Sequence, residues 1–142
     1  MDYGKLSKEF LQVMYQHYQA HVGQRLNNAV HGEDFAIQYI ALHDDVAVPS
    51  DIENAMSVSS ARIATILGKL EDKGWITRRI DAKDRRRTIL KLTKAGEERA
   101  KKSEQELLDL VENILKRLGE EDAKHYVRIM GKLTSTCNDN CE

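Results

Sequence analysis

The hydrophobic positions of this chain change period twice, and the changes mark its elements. From about residue 6 to residue 26, Leu6, Phe10, Val13, Met14, His17 and His21 recur at helical spacing and form one stripe, which predicts a first helix. Val30-His31-Gly32 interrupts it. A second helix is expected from about 33 to 44, with Ala36, Ile37, Ile40 and Ala41 on one face. Val48-Pro49-Ser50-Asp51 reads as a helix start, because proline suits the first turn and an acid there meets the positive end of the helix dipole. That short helix ends near Met56, where Ser57-Val58-Ser59 breaks the pattern. Ser59 is then a good N-cap for a helix from Ser60 to about Lys73, and Gly74 stands where a C-cap glycine belongs.

After Gly74 the period shortens. Residues 75–80 and 87–93 are rich in β-forming residues and flank a charged turn, which predicts a hairpin. Thr93 or Lys94 opens a long helix reaching Leu118. Its later part carries Leu107, Leu108, Leu110, Val111, Ile114, Leu115 and Leu118, a wider apolar band than one exposed helix needs. Gly119 ends it, and Glu120-Glu121-Asp122 opens a last helix expected to turn Ala123, Tyr126, Val127, Met130 and Leu133 inward. The middle of the chain is therefore a helix-turn-helix followed by a β wing.

Composition narrows the class. With 41% hydrophobic and 32% charged residues the chain reads as globular, and one proline and 6% aromatics argue against an all-β sandwich. No apolar run reaches the length of a membrane span, so no membrane partner is expected. The opening Met1-Asp2-Tyr3-Gly4-Lys5 lacks the pattern of a signal peptide, so a cytoplasmic location is expected. The net charge of −1 conceals a segregation: residues 62–102 hold fourteen Lys/Arg against six Asp/Glu, and the remainder holds eight against seventeen. A basic middle between acidic flanks suits a polyanion, although chance segregation on solvated helix faces gives the same arithmetic.

Two segments sharpen that reading. In the helix from Ser60, the stripe Ile63, Ile66, Leu67 and Leu70 packs inward, with Ala64 beside it, so Ser60, Ala61, Arg62, Thr65 and Lys69 face out. Small side chains let a helix backbone approach a groove closely. Arg62 can hold a guanine edge with two hydrogen bonds, Thr65 offers a hydroxyl and a methyl, and the amides beside Ser59 and Ser60 favour a phosphate oxygen. This is the layout of a recognition helix in a major groove, although an ordinary surface helix can carry one arginine too. The hairpin adds Arg78, Arg79, Lys83, Arg85, Arg86 and Arg87, opposed by Asp81 and Asp84. Such a cluster repels itself unless it meets an anion, and arginine suits the strong negative potential of a narrow minor groove. The plainer alternative is a solvated turn.

Ile52-Glu53-Asn54-Ala55-Met56-Ser57-Val58-Ser59, then Ile63, Leu70-Glu71-Asp72-Lys73-Gly74-Trp75-Ile76, Asp84-Arg85-Arg86-Arg87 and Leu90-Lys91-Leu92-Thr93-Lys94-Ala95-Gly96 together resemble the MarR family of winged-helix transcription regulators. The resemblance covers residues 33–100 by motif and the rest by helix order and length. It implies a mainly α fold with a small β-hairpin wing: an N-terminal helix over 1–32 in the dimerisation region, a winged helix-turn-helix over 33–93, and C-terminal dimerisation helices over 94–142. It implies a homodimer on double-stranded DNA, with the helix from Ser60 in the major groove and the wing in the minor groove. By that carry-over Arg86 enters the minor groove and Asp84 orients it through an ion pair. The chain departs from the family where Glu53 replaces a usually small residue and where Ala64-Thr65 replaces a frequent Thr-Arg pair, so an operator sequence does not carry over. The resemblance also implies an effector pocket between the dimer helices and the DNA-binding lobe, for which Tyr15, His17, Tyr18, His21, Tyr39 and His43 are candidates; each is equally suited to helix packing.

Dimerisation has an independent argument. The 107–118 band has more apolar faces than one winged domain can cover, and two-fold pairing would set two recognition helices about one DNA turn apart, on a pseudo-palindrome. An intramolecular bundle is the alternative. His17 and His21, four apart, could share a metal if His31, His43 or a partner subunit completed the set, or could simply pack. Cys137 and Cys141, also four apart, are either packing residues or a redox or metal pair, and no local basic group favours a thiolate. A metal-dependent or redox enzyme is disfavoured, since no nucleophile motif, phosphate loop or complete ligand set is present, so no catalytic residue, metal or cofactor is expected. A winged helix used only for protein contacts is disfavoured by the arginine density of the wing.

Overall fold

The computed structural model describes residues 1–44 and 46–140, and the side chains of these except 28–31 and 136–140. The elements are α1 (Tyr3–Gln19), α2 (His21–His31), α3 (Glu33–Leu42), α4 (Pro49–Met56), α5 (Ser60–Asp72), β1 (Ile76–Ile80), β2 (Thr88–Leu92), α6 (Lys94–Leu118) and α7 (Glu120–Asn140). The fold is mainly helical with a two-stranded wing, as the period changes predict. None of the described helices is long and apolar enough to cross a membrane. The chain divides into two compact units, Met1–Glu104 and Gln105–Glu142.

The core of the first unit is built from α3, α4, α5 and the wing. Ile37, Ile40, Ile52, Ile63, Leu67, Leu70, Ile76 and Leu90 are its largest fully buried side chains. Each contributes about 1.5–3 kcal/mol through burial. The inward stripe of α5 is as expected, with Ile63, Ile66, Leu67 and Leu70 all buried and Ala64 exposed. On α3, Ala36, Ile37 and Ile40 are buried while Ala41 is exposed, and the helix stops at Leu42 rather than near 44. Gln38 fastens α3 to α6: its Nε2 donates to the Ala100 carbonyl and to Ser103 Oγ, the latter at 3.0 Å.

β1 and β2 pair antiparallel, from Ile76 opposite Leu92 to Ile80 opposite Thr88. The sheet is anchored to the stretch before α4 by Leu90 N–H donating to the Ala47 carbonyl at 2.8 Å. Thr93 locks the exit from the wing. Its N–H donates to the Trp75 carbonyl at 3.0 Å, its hydroxyl donates to the Gly74 carbonyl at 2.6 Å, and its Oγ1 caps α6 by accepting the Gly96 N–H at 3.0 Å. Gly96 is required there, because a Cβ would fall 1.9 Å from the Trp75 carbonyl oxygen.

Two expectations need correction. The helix expected over 6–26 is two helices. Ala20 is extended (φ −68°, ψ 144°), its N–H bonding back to the Gln16 and His17 carbonyls, and α2 starts afresh at His21. Gly23 allows this corner: a Cβ would lie 2.0 Å from the His17 carbonyl oxygen. The stripes expected to face inward on the terminal helices are also exposed within the protomer. α1 has no buried residue; Phe10 is 60% and Val13 62% exposed. On α7, Tyr126, Val127, Met130 and Leu133 are exposed and Ala123 is half-buried. The apolar faces are real, but among the described residues nothing within its own unit buries either of them.

Candidate nucleic-acid interface

The turn before α5 is built from local bonds. α4 closes with Val58 N–H donating to the Glu53 carbonyl and Ser57 N–H to the Asn54 carbonyl, with Ser57 in the left-handed region at φ 53°. Ser59 then caps α5: its Oγ accepts the Arg62 N–H at 3.2 Å. With the apolar stripe buried, Ser60, Ala61, Arg62, Thr65 and Lys69 are all exposed. Gly68, which sequence reasoning missed, shares that outer face, and a Cβ there would meet nothing within 4 Å. The centre of the face is thus Ala61, Thr65 and Gly68, with Arg62 and Lys69 on one flank and Ser60 on the other.

Glu53 was also missed as a functional residue. Its carboxylate accepts the Ser60 hydroxyl at 2.9 Å, joining α4 to the first turn of α5. The Thr65 hydroxyl donates back to the Ala61 carbonyl at 3.0 Å. The Arg62 side chain enters none of the described ion pairs.

The wing turn is shaped by its two aspartates. Asp81 Oδ1 accepts the Lys83 N–H at 3.0 Å, and Asp84 Oδ1 accepts the Arg86 N–H at 3.0 Å. The loop closes through Asp81 N–H to the Arg87 carbonyl and Arg87 N–H to the Asp84 carbonyl. Asp84 also stands 3.5 Å from Arg86 Nε, but the Arg86 side chain is 93% exposed, so that ion pair is weak and the main work of Asp84 is to fold the turn. Arg85, Arg86, Arg87 and Lys83 are exposed. Arg78 differs from the expectation of an unopposed cation: its Nε pairs with Glu71 of α5 at 3.0 Å and so braces the wing on the helix.

The other candidates fall on α1, the start of α2 and the end of α3. His17 and His21 are both exposed, and the extended Ala20 between them removes the shared helical stripe on which their pairing depended. Tyr15 and Tyr18 are exposed on α1. On α3, Tyr39 stacks on His43 with ring centroids 4.1 Å apart. A cavity of about 420 Å³ beside α3 is lined instead by Gln38, Ala41, Asp44, Glu97, Lys101 and Glu104, among others. Among the described residues no group of three His, Cys, Asp or Glu could hold a metal. His31 and Cys137 lie among the residues whose side chains are not described, and Cys141 lies outside the described residues.

Comparison with known proteins agrees with this geometry. Residues 35–111 match a family described as a winged helix DNA-binding domain. An uncharacterised HTH-type transcriptional regulator of Bacillus subtilis, YdgJ, is 27% identical over 97 residues, 68% of this chain; the chain spans 59% of that relative's length. Among solved structures, Streptococcus pneumoniae FabT in complex with DNA aligns with a TM-score of 0.68 at 22% identity, covering 97% of this chain and 99% of that one. A MarR transcriptional regulator from Methanosarcina mazei aligns at 0.68 and 15% identity, covering 95% and 98%.

Proposed function

This chain belongs to the winged helix DNA-binding domain family, and from that premise we propose that it is a MarR-type, sequence-specific transcriptional regulator that binds a pseudo-palindromic operator as a homodimer. One observation carries the reading. A capped helix with small, exposed outer residues and an arginine is followed, one strand later, by a turn folded so that Arg85, Arg86 and Arg87 are all exposed. The helix is the right shape for a major groove, and the turn has the right charge for the minor groove beside it.

In this reading Ser59 and the first amides of α5 hold a phosphate, and Arg62, Thr65, Ser60 and Ala61 meet base edges. Lys69, Lys83, Arg85 and Arg87 hold the backbone, and Arg86 enters the minor groove. Arg78 acts through Glu71, fixing the wing's angle to the helix. The dimer is supported by the apolar faces that each unit leaves open. A bound dimer excludes other proteins from the same DNA, so repression is the simplest outcome. A small-molecule effector would act on such a dimer only by favouring one spacing of its recognition helices over another.

The test is binding of duplex DNA by gel shift. Arg86→Ala should lose about tenfold or more in affinity, with the helical circular dichroism spectrum intact, and affinity should fall steeply with salt as phosphate contacts release counterions. An unchanged affinity for Arg86→Ala rejects the wing assignment, and a flat salt series rejects the basic face.

A further inference from the structure

A hydroxyl on a DNA-reading helix has one hydrogen to donate and two lone pairs to accept with, and an internal bond that takes the hydrogen leaves only the lone pairs. The three hydroxyls of this helix start are committed differently. A carboxylate accepts only, so in the 2.9 Å contact with Glu53 it is Ser60 that donates. A backbone carbonyl also accepts only, so Thr65 donates to Ala61 at 3.0 Å. Ser59 is the reverse: its oxygen accepts the Arg62 N–H, which leaves its hydrogen available.

These polarities sort the contacts that each residue can make. A phosphate oxygen carries no hydrogen, so Ser59 can bond to one, while Ser60 and Thr65, with their hydrogens engaged, cannot. In the major groove the hydrogen-bearing groups are the amino groups of adenine and cytosine, whereas guanine N7 and O6 and thymine O4 are acceptors. Lone pairs aimed at those acceptors are repelled. We propose that Glu53 sets the sequence preference of α5: by holding the Ser60 hydrogen it makes the Ser60 oxygen an acceptor that selects a base with an amino group, adenine or cytosine. Thr65 has the same polarity through its own helix, and its methyl can still lie against a thymine methyl. Glu53 is a positioning residue here, half-buried and acting through Ser60. The inference rests on α5 being the major-groove helix.

The experiment selects bound duplexes from a random pool at one fixed salt concentration, then measures affinity for single base-pair changes in each half-site. The full chain is compared with Glu53→Ala, Glu53→Gln and Ser60→Ala. The unaltered protein should prefer adenine or cytosine at one position per half-site, losing about fivefold to tenfold when guanine or thymine replaces it. In Glu53→Ala the freed Ser60 hydroxyl can donate as well as accept, so the preference at that position should drop below twofold while preferences elsewhere persist. Affinity for random duplex should not fall, because a negative charge has left a surface that meets a polyanion. Glu53→Gln should retain the preference, since its carboxamide oxygen still accepts the Ser60 hydrogen, and Ser60→Ala should lose it. A preference that survives both Glu53→Ala and Ser60→Ala overturns the proposal, as does a preferred guanine or thymine at that position. Duplex binding by the unaltered protein keeps the reading of α5 standing in either case; failure to bind any duplex at low salt overturns that reading and the proposal together.

Discussion

Ser57 and Gly74 close α4 and α5 with the same pair of backbone bonds, and both sit at positive φ, 53° and 73°. Glycine does so freely, whereas a side chain there costs about 1–2 kcal/mol. Ser57→Gly should therefore raise the unfolding free energy by about 1 kcal/mol in a urea titration; a decrease would mean the serine has a compensating contact. Gly68 gives the opposite lesson. It lowers helix stability yet has open space around it, so Gly68→Ala should add about 1 kcal/mol of stability while weakening duplex affinity, because the added methyl points where the groove wall would lie. A stabilised variant with unchanged affinity would remove Gly68 from the interface. At this scale the sequence is readable where the chemistry is local. The Ser59 cap and the Gly74 turn follow from residue type and spacing. Glu53 does not, because its partner is seven residues away across a turn whose geometry residue types alone do not specify.

Among the elements, the hairpin and α6 are held in place around Trp75. Lys73 and Arg99 both approach its ring, at 4.8 and 5.5 Å from the centroid, and pair with Glu33 and Asp34 in the first turn of α3. The ion pairs are partly exposed and individually weak, so much of the stabilisation comes from packing on the ring. The closest approach is at Gly96, and Gly96→Ala should cost about 1–3 kcal/mol in thermal or urea unfolding. An unchanged midpoint would show that α6 can shift without loss. The β wing and the inward face of α5 were legible because burial on one side forces a strict period. The corner at Ala20 was not, because alanine is a strong helix former and the break depends on Gly23 lying against the His17 carbonyl, a contact that no local pattern encodes.

For the whole molecule, the open question in the sequence was what the surplus apolar residues cover. Within Met1–Glu104 the face of α1 carrying Leu6, Phe10, Val13 and Met14 is exposed, and within Gln105–Glu142 so are Tyr126, Val127, Ile129, Met130 and Leu133. The periodicity identified these faces but not their partner, because a stripe looks the same whether it is buried within one chain or between two. If a second copy covers them, Phe10→Glu combined with Met130→Glu should yield monomers in sedimentation experiments. Operator affinity should fall by about 100-fold or more as the second half-site is lost, and dimers that persist would place the interface elsewhere.

The most direct measurement is a pair of footprints on a selected operator, one of guanine methylation in the major groove and one of hydroxyl-radical cleavage along the backbone. Two methylation-protected patches about one helical turn apart should appear, each with adjacent minor-groove protection that disappears in Arg86→Ala while the methylation pattern stays. A single patch, or backbone protection that Arg86→Ala leaves untouched, would contradict a paired molecule gripping one duplex with both helix and wing.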